Sequence, residues 1–393
     1  MAGTSPAHDV GTLGAAHASF KQPPPMHSDH FLLSMRAWRT HQRWEVTMAK
    51  VRSADRTGAG MYEVKEDWLR RHDEPVIEPE LPIVDPHHHL WDRDSRYLLD
   101  ELLDDVDSGH KVRATVFIQC RSMYRGDGPP ELAPVGETEF VNGVSAMSAS
   151  GHYGPARLCA GIVGHADFRH GARVREVLEA HIAASSRFRG IRFSTPWDEH
   201  VQLTPQRPPR GIMADRTWRR GFAQLQPLGL TYDALLFHTQ IPELIDLASA
   251  FPHTLIVLNH VGCPIGVGPY AGKRDEVFAA WSKSLRELSR CDNVTIKLGG
   301  LGMHVFGFEF DKRKEPPTSQ ELADVWRPYV ETSIAAFGPD RAMFESNFPV
   351  DKISCTYKVI WNAFKRLAAG ASADEKRALF HDTAAGVYGL TNL

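Results

Sequence analysis

From about residue 80 onward, short runs of Val, Ile, Leu and Phe alternate with stretches where apolar residues return every three or four positions. The runs fall at 83–87, 114–120, 158–164, 189–193, 230–237, 255–260, 294–298 and 342–346. They are continuously apolar, as strands covered on both faces should be, and they predict a parallel sheet. The stretches between them have readable helix ends. Thr318-x-x-Glu321 forms a capping box ahead of Leu322, Val325, Trp326, Tyr329 and Ile334 on one side. Pro328 should bend that helix and Gly338-Pro339 should stop it. Ser354 should open a second helix bearing Val359, Ile360, Trp361, Phe364 and Leu367, ended by Gly370, and Ser372-x-x-Glu375 should cap a last one.

Eight strand–helix units predict a (β/α)8 TIM barrel over residues 81–393, with its site at the C-terminal ends of the strands. A doubly wound open sheet is the alternative, but the polar candidates close many strands instead of meeting at one switch point. Residues 1–60 differ in character. They carry Gln22-Pro23-Pro24-Pro25 and a basic stretch from Arg36 to Arg52, without strand periodicity. They read as a flexible or loosely helical extension, with Phe31, Leu32, Met35 and Trp38 able to share one face, and Met48 or Met61 as alternative starts. Residues 61–80 read as a linker into the barrel.

Composition narrows the function classes. The 393 residues are 42% hydrophobic and 24% charged, with a formal net charge of -3, which gives no support for nucleic-acid binding. No apolar run is long enough to span a bilayer. Five cysteines, never spaced C-x-x-C, fit reduced thiols and a cytoplasmic location. The partner implied is a small molecule; a homo-oligomer stays open.

The candidate chemistry lies where strands end. Val84-Asp85-Pro86-His87-His88-His89 closes the first run, and alternation on a strand points His87 and His89 together with His88 away. Two imidazoles so placed can hold a divalent metal, zinc or manganese, or a polarised oxygen. His238 and His260 close the fifth and sixth runs, Arg192 the fourth, Lys297 lies in the seventh, and Glu345-Ser346-Asn347 closes the eighth. A single histidine at a strand end is as often structural as functional; four at compatible ends make a constellation. Arg192 and Lys297 could each bind a substrate carboxylate or polarise a carbonyl, Arg192 through its planar fork, and for Lys297 a structural partnership with an acid is the better reading. Arg121 and Tyr124 sit where substrate-binding groups are expected, with surface solvation an equal reading. Glu137 reads as a helix-opening acid. The segments 200–213 and 303–317 should be loops over the mouth.

The chain from about 80 to 393 resembles the amidohydrolase-related, lactonase-like branch of the amidohydrolase superfamily. The matching segments are Asp85-Pro86-His87-His88-His89-Leu90-Trp91-Asp92, Gly190-Ile191-Arg192, Asn259-His260-Val261-Gly262-Cys263-Pro264, Lys297-Leu298-Gly299-Gly300-Leu301 and Phe344-Glu345-Ser346-Asn347-Phe348-Pro349. The resemblance implies a (β/α)8 barrel and carries over His87 and His89 as the paired first-strand histidines. It also carries over His238 and His260 from strands five and six. Family members include lactonases, some thought to use a divalent metal and others none.

One departure matters. The family's last strand carries an aspartate as general base where this chain has Asn347, and an asparagine cannot accept a proton near neutral pH. Glu345, two residues earlier on the same side, is one replacement, although the displacement is about 6 to 7 Å along the strand. A barrel-layer residue paired with Lys297 or Arg192 is the equal reading, and His260 or His238 as base is the other. The expected function is hydrolysis of an ester in a small carboxylated ring, most simply a lactone. His87, His89 and His238 would hold a metal or the oxyanion, His260 or Glu345 would take the proton, and Arg192 would bind a carboxylate. Non-oxidative decarboxylation and a disabled binding barrel are the alternatives. Asp85 and Asn347 both depart from the related decarboxylase pattern.

Overall fold

The computed structural model describes residues 64–93, 95–391 and 393. Eight parallel strands lie in sequence order: β1 (Pro82–His88), β2 (Lys111–Ile118), β3 (Arg157–Gly164), β4 (Phe188–Arg192), β5 (Thr231–Ala234), β6 (Ile256–Leu258), β7 (Val294–Leu298) and β8 (Ala342–Phe344). The ring closes through the chain just beyond β8. Asn347 N–H donates to His87 O at 2.9 Å, and His89 N–H donates to Phe348 O at 2.7 Å. One side chain seals the seam: Asp85 accepts from Ser346 Oγ at 2.6 Å, Ser346 N at 3.0 Å and Tyr357 Oη at 3.0 Å. The predicted (β/α)8 barrel is therefore present.

Helices α1 (Leu99–Val106), α2 (Val135–Ala149), α3 (Val174–Ala184), α4 (Arg216–Phe222), α5 (Ile241–Ala250), α6 (Arg274–Leu288), α7 (Ser319–Phe337) and α8 (Tyr357–Leu367) follow the strands in turn. Between strands and helices lies one apolar layer that buries Trp218, Trp281, Trp326 and Trp361 completely. A second, smaller cluster gathers Val84, Ala114, Val116, Ile118, Val163, Val257 and Met343 around Ala384 and Tyr388. The segment after residue 382 sits at the N-terminal strand ends: Arg189 Nε, on β4, donates to Tyr388 O at 2.7 Å.

Local signals in the sequence account for several boundaries. Thr318 Oγ1 accepts from Glu321 N–H at 3.2 Å while Glu321 Oε2 accepts from Thr318 N–H at 2.8 Å, so the predicted box opens α7. Gly338, at φ 76°, follows its last residue. The predicted start of α8 moves from Ser354 to Thr356, whose hydroxyl accepts from Val359 N–H. Ser354 is otherwise engaged, donating its hydroxyl to Gly302 O at 2.8 Å. The described part of the expected linker lies along the barrel, with Trp68 Nε1 bonded to Arg313 O at 3.1 Å and Glu74 taking Asn362 Nδ2 at 2.7 Å. The extension expected over residues 1–60, and the alternative starts Met48 and Met61, lie outside the described residues.

Candidate active site

The end of β1 behaves as strand alternation predicts. His87 and His89 face each other edge-on with ring centroids 4.9 Å apart. His88 turns away, its Nε2 2.9 Å from Thr115 Oγ1 and its ring against Phe117, and burial holds its pKa down at about 3. His89 Nδ1 lies 2.8 Å from Ile118 O. A carbonyl there fixes the proton on Nδ1, so the Nε2 lone pair is left for the site. Stacking on Trp91 at 5.7 Å holds that ring orientation. Burial first, then nearby cations, holds both His87 and His89 well below the ordinary imidazole range.

Glu345 joins strands one, six and eight. Its Oε1 accepts from His260 Nδ1 at 2.7 Å and from His260 N–H at 3.1 Å. Its Oε2 lies 2.6 Å from His87 Nδ1. With Nδ1 spent on a carboxylate, His260 presents Nε2, which carries no hydrogen bond among the described residues. The backbone that makes this possible is unusual. His260, Val261 and Cys263 have φ of 54°, 48° and 40°, a left-handed run of non-glycine residues of the kind that collects at functional sites. Behind them, a Cβ on Gly299 would stand 2.5 Å from Glu345 Cγ, and one on Gly300 would stand 2.3 Å from His260 Nδ1. The glycines of Lys297-Leu298-Gly299-Gly300 are there because the Glu345 main-chain carbonyl and Cγ, and the His260 imidazole, occupy the space of their side chains.

The other predicted residues separate into groups. Arg192 is buried; Nη1 lies 3.2 Å from His87 Nε2, and Nη2 donates to Gln119 O. Its Nε has no hydrogen-bond partner, and no acid pairs with the guanidinium among the described residues. Lys297 is fully buried and pairs with Asp233 Oδ1 at 2.8 Å, a partner the sequence reading did not identify. Asn347, at φ 55°, gives its carboxamide to Asp351 Oδ1 at 2.9 Å, and Gly302 N–H holds Oδ2 at 3.0 Å. Burial raises the Asp351 pKa to about 8.

His238 is outside the group formed by His87, His260 and Glu345. Its Nδ1 accepts from Ile265 N–H at 3.3 Å, which leaves Nε2 as an N–H donor, and its ring meets Tyr270 edge-on. Tyr270 Oη in turn donates to Asp198 at 2.8 Å. Arg121 is exposed at φ 63°, whereas the Tyr124 hydroxyl is buried without a partner. Glu137 does more than open α2: it is fully buried, and its Oε1 accepts from Cys120 N–H at 2.9 Å and Ser122 N–H at 2.8 Å. It therefore clamps the loop that presents Gln119 to Arg192, and burial raises its pKa to about 7.

His87, His260 and Glu345 can each offer one ligand atom, all within 4.8 Å of one another. Two features suit a divalent cation there. Glu345 Oε2 is buried without a hydrogen bond although it lies 2.6 Å from His87 Nδ1, a close approach that lacks hydrogen-bond geometry. Two nitrogens and one carboxylate oxygen are also the donor set of open catalytic zinc sites.

The chain is similar to several known proteins. The Sinorhizobium fredii protein y4mH is 35% identical over 332 residues, 79% of this chain and 99% of its own length. An L-fucono-1,5-lactonase of Burkholderia multivorans is 30% identical over 236 residues, covering 60% of this chain and 73% of the relative. A Burkholderia multivorans amidohydrolase crystallised with bound zinc aligns at 26% identity and a TM-score of 0.62, over 78% of this chain and 99% of that one. The family model for Amidohydrolase matches residues 84–390. This chain, with its barrel and its strand-end histidines, belongs to the amidohydrolase family.

Proposed function

We propose that this protein hydrolyses the ester bond of a small carboxylated ring, most simply a lactone. The observation that carries the reading is the 2.7 Å contact between His260 Nδ1 and Glu345 Oε1, which turns the Nε2 lone pair into the base that the missing aspartate would otherwise supply. Arg192, buried without an acid partner, takes the substrate carboxylate. His260 Nε2 removes a proton from water as its oxygen attacks the ring carbonyl. His238 Nε2–H is the donor available to the developing oxyanion. Collapse breaks the ring C–O bond, and the departing alkoxide takes the proton back from His260.

His87, His260 and Glu345 would hold a divalent ion, zinc or manganese, and such an ion would supply a Lewis acid for the carbonyl. His89 Nε2 is then the free imidazole that takes the proton. Similarity to a zinc-bound amidohydrolase and to L-fucono-1,5-lactonases supports both halves of the reading. Asp85 counts against decarboxylation, because its carboxylate is fully engaged at the barrel seam.

The test is product analysis over a panel of carboxylated and uncharged lactones. Turnover should give one new carboxyl group and one proton per ring, with no gas. His260→Ala should lower kcat about 10²- to 10⁴-fold, the usual worth of a positioned acid–base group. Arg192→Ala should raise KM for the carboxylated rings alone. Release of carbon dioxide, or wild-type turnover by His260→Ala, defeats the proposal.

A further inference from the structure

Beneath His87 lies a set of buried polar groups that the proposed reaction leaves unused. Tyr388 Oη donates towards Asp233, 2.9 Å from Oδ1 and 3.1 Å from Oδ2. Asp233 Oδ1 also takes the Lys297 ammonium at 2.8 Å and Asn259 Nδ2 at 3.0 Å. Lys297 Nζ donates to Pro86 O at 2.9 Å and stands 3.4 Å from His87 Nδ1. Tyr388, Asp233, Asn259, Lys297 and His87 all have zero exposure.

Stability does not account for this arrangement. A buried ion pair is matched or exceeded in stability by apolar residues of the same volume, since desolvation offsets the attraction between the charges. What the pair supplies is geometry. Three polar contacts of the ammonium are Asp233, the carbonyl preceding His87, and the His87 ring. The rest of the chain's contribution is to hold the ammonium there. Asp233 Oδ2 has Tyr388 as its hydrogen-bond donor among the described residues, and the Tyr388 ring lies 5.3 Å from Lys297 Nζ. Arg189 Nε on Tyr388 O anchors that tyrosine at the far ends of the strands.

We infer that Tyr388, Asp233 and Lys297 are positioning residues that fix the ring of His87, so that the segment plugging the N-terminal strand ends sets the geometry of the site at the C-terminal ends. The inference rests on His87 belonging to the reactive site. The decisive variant is Tyr388→Phe, which deletes one hydroxyl. Tyr97→Phe is the control, since Tyr97 Oη donates to Asp105 at 2.8 Å in another buried pair outside the chain of contacts. Two readouts apply to full-length protein: the ring ¹⁵N signals of His87, assigned with a His87→Gln variant, and zinc affinity by competition with a chromophoric chelator.

Tyr388→Phe should move the His87 signals and weaken zinc about 10- to 100-fold, as loss of a group supporting a metal-binding histidine does. Tyr97→Phe should lower the melting temperature comparably and change neither. Should Tyr388→Phe fail to fold, Asp233→Asn is expected to move the same signals. His87 signals identical to wild type in either folded variant overturn the inference. A wild-type protein that binds no zinc removes the metal reading alone, and the ring signals still decide.

Discussion

The family resemblance implies an aspartate where this chain has Asn347, and Glu345 stands two residues before it; β8 ends at Phe344 and Asn347 has φ 55°, so the two side chains go to different partners. Moving a carboxyl back by two residues draws it into the barrel, and the longer side chain, with bare glycine at 299 behind it, lets it reach His87 and His260 together. It works there as an orienting group, because Oε1 is already spent on two His260 hydrogens. Glu345→Gln should therefore cut kcat about 10²- to 10⁴-fold with KM nearly unchanged, since a neutral amide cannot offset the charge that His260 gains on taking the proton. Steady-state rates on the lactone identified by the panel check this; a tenfold rise in KM with constant kcat would assign Glu345 to binding instead. Asn347 has a different task, donating to a second buried carboxyl on Asp351. At pH 8.5, above the Asp351 value of about 8, Asn347→Asp sets two carboxylates against each other at 2.9 Å spacing and should cost about 1–3 kcal/mol in urea denaturation. The exchanged pair Asn347→Asp with Asp351→Asn restores one donor and one acid, and should recover most of that loss. A double variant no more stable than the single one would show that the pairing is incidental.

The strands and helices were legible to the extent that local signals set them. Apolar runs located all eight strands, and the box at Thr318 located α7, because each depends on neighbours a few residues away. The fifth, sixth and eighth strands stop at Ala234, Leu258 and Phe344, short of their apolar runs, so His238, His260 and Glu345 stand just beyond the sheet. Among site residues, alternation pointed to His87 and His89, and the ends of apolar runs pointed to His238 and His260, of which His238 stands outside the group; for Glu345 the sequence left a base and a barrel-layer partner as equal readings. Asp233, Tyr388 and Glu137 were not legible. Asp233 reads as a polar interruption inside a strand, and its partners Lys297 and Tyr388 lie 64 and 155 residues away, beyond any periodicity. The loop after β7 shows the element acting as a unit. Gly300 and Gly338 share positive φ, 68° and 76°, but a Cβ on Gly300 would meet the His260 ring, whereas one on Gly338 meets nothing within 4 Å. Gly338→Ala should thus cost only backbone strain, about 1–3 kcal/mol because ψ of 164° lies in a region open essentially to glycine alone, with activity intact. Gly300→Ala should displace His260 and lower kcat about 100-fold, the penalty for a misplaced catalytic group. Equal activity in the two variants would mean that the loop does not back the site.

For the whole molecule, the acids and histidines buried on folding pull its stability in opposite directions with pH. Burial lowers His88 to about 3, and His110, His165, His181 and His238 to about 4. Unfolded, these rings bind protons near pH 6.5. Their contribution to stability is therefore complete above about 6.5 and is lost as the pH falls towards the folded values. Burial raises Asp85 and Asp105 to about 6, Glu137 to about 7 and Asp351 to about 8. These groups hold protons that the unfolded chain releases near pH 4, so their contribution is complete in acid and is lost as the pH rises through 6 to 8. Between about pH 4.5 and 6 the five histidines, joined by His87 and His89, outweigh the four acids, and stability falls on acidification. Above about 6.5 the histidine difference is gone, leaving Glu137 and Asp351 to set a shallower decline on the order of 2 kcal/mol by pH 8. Stability should peak near pH 6.5, with the steeper limb on the acid side. Urea denaturation from pH 4.5 to 8.5 measures the curve directly. Asp351→Asn should flatten its alkaline limb, because an amide has no proton to lose. A stability that climbs steadily to pH 8 in the wild type would mean that these carboxyls are not held protonated in the fold.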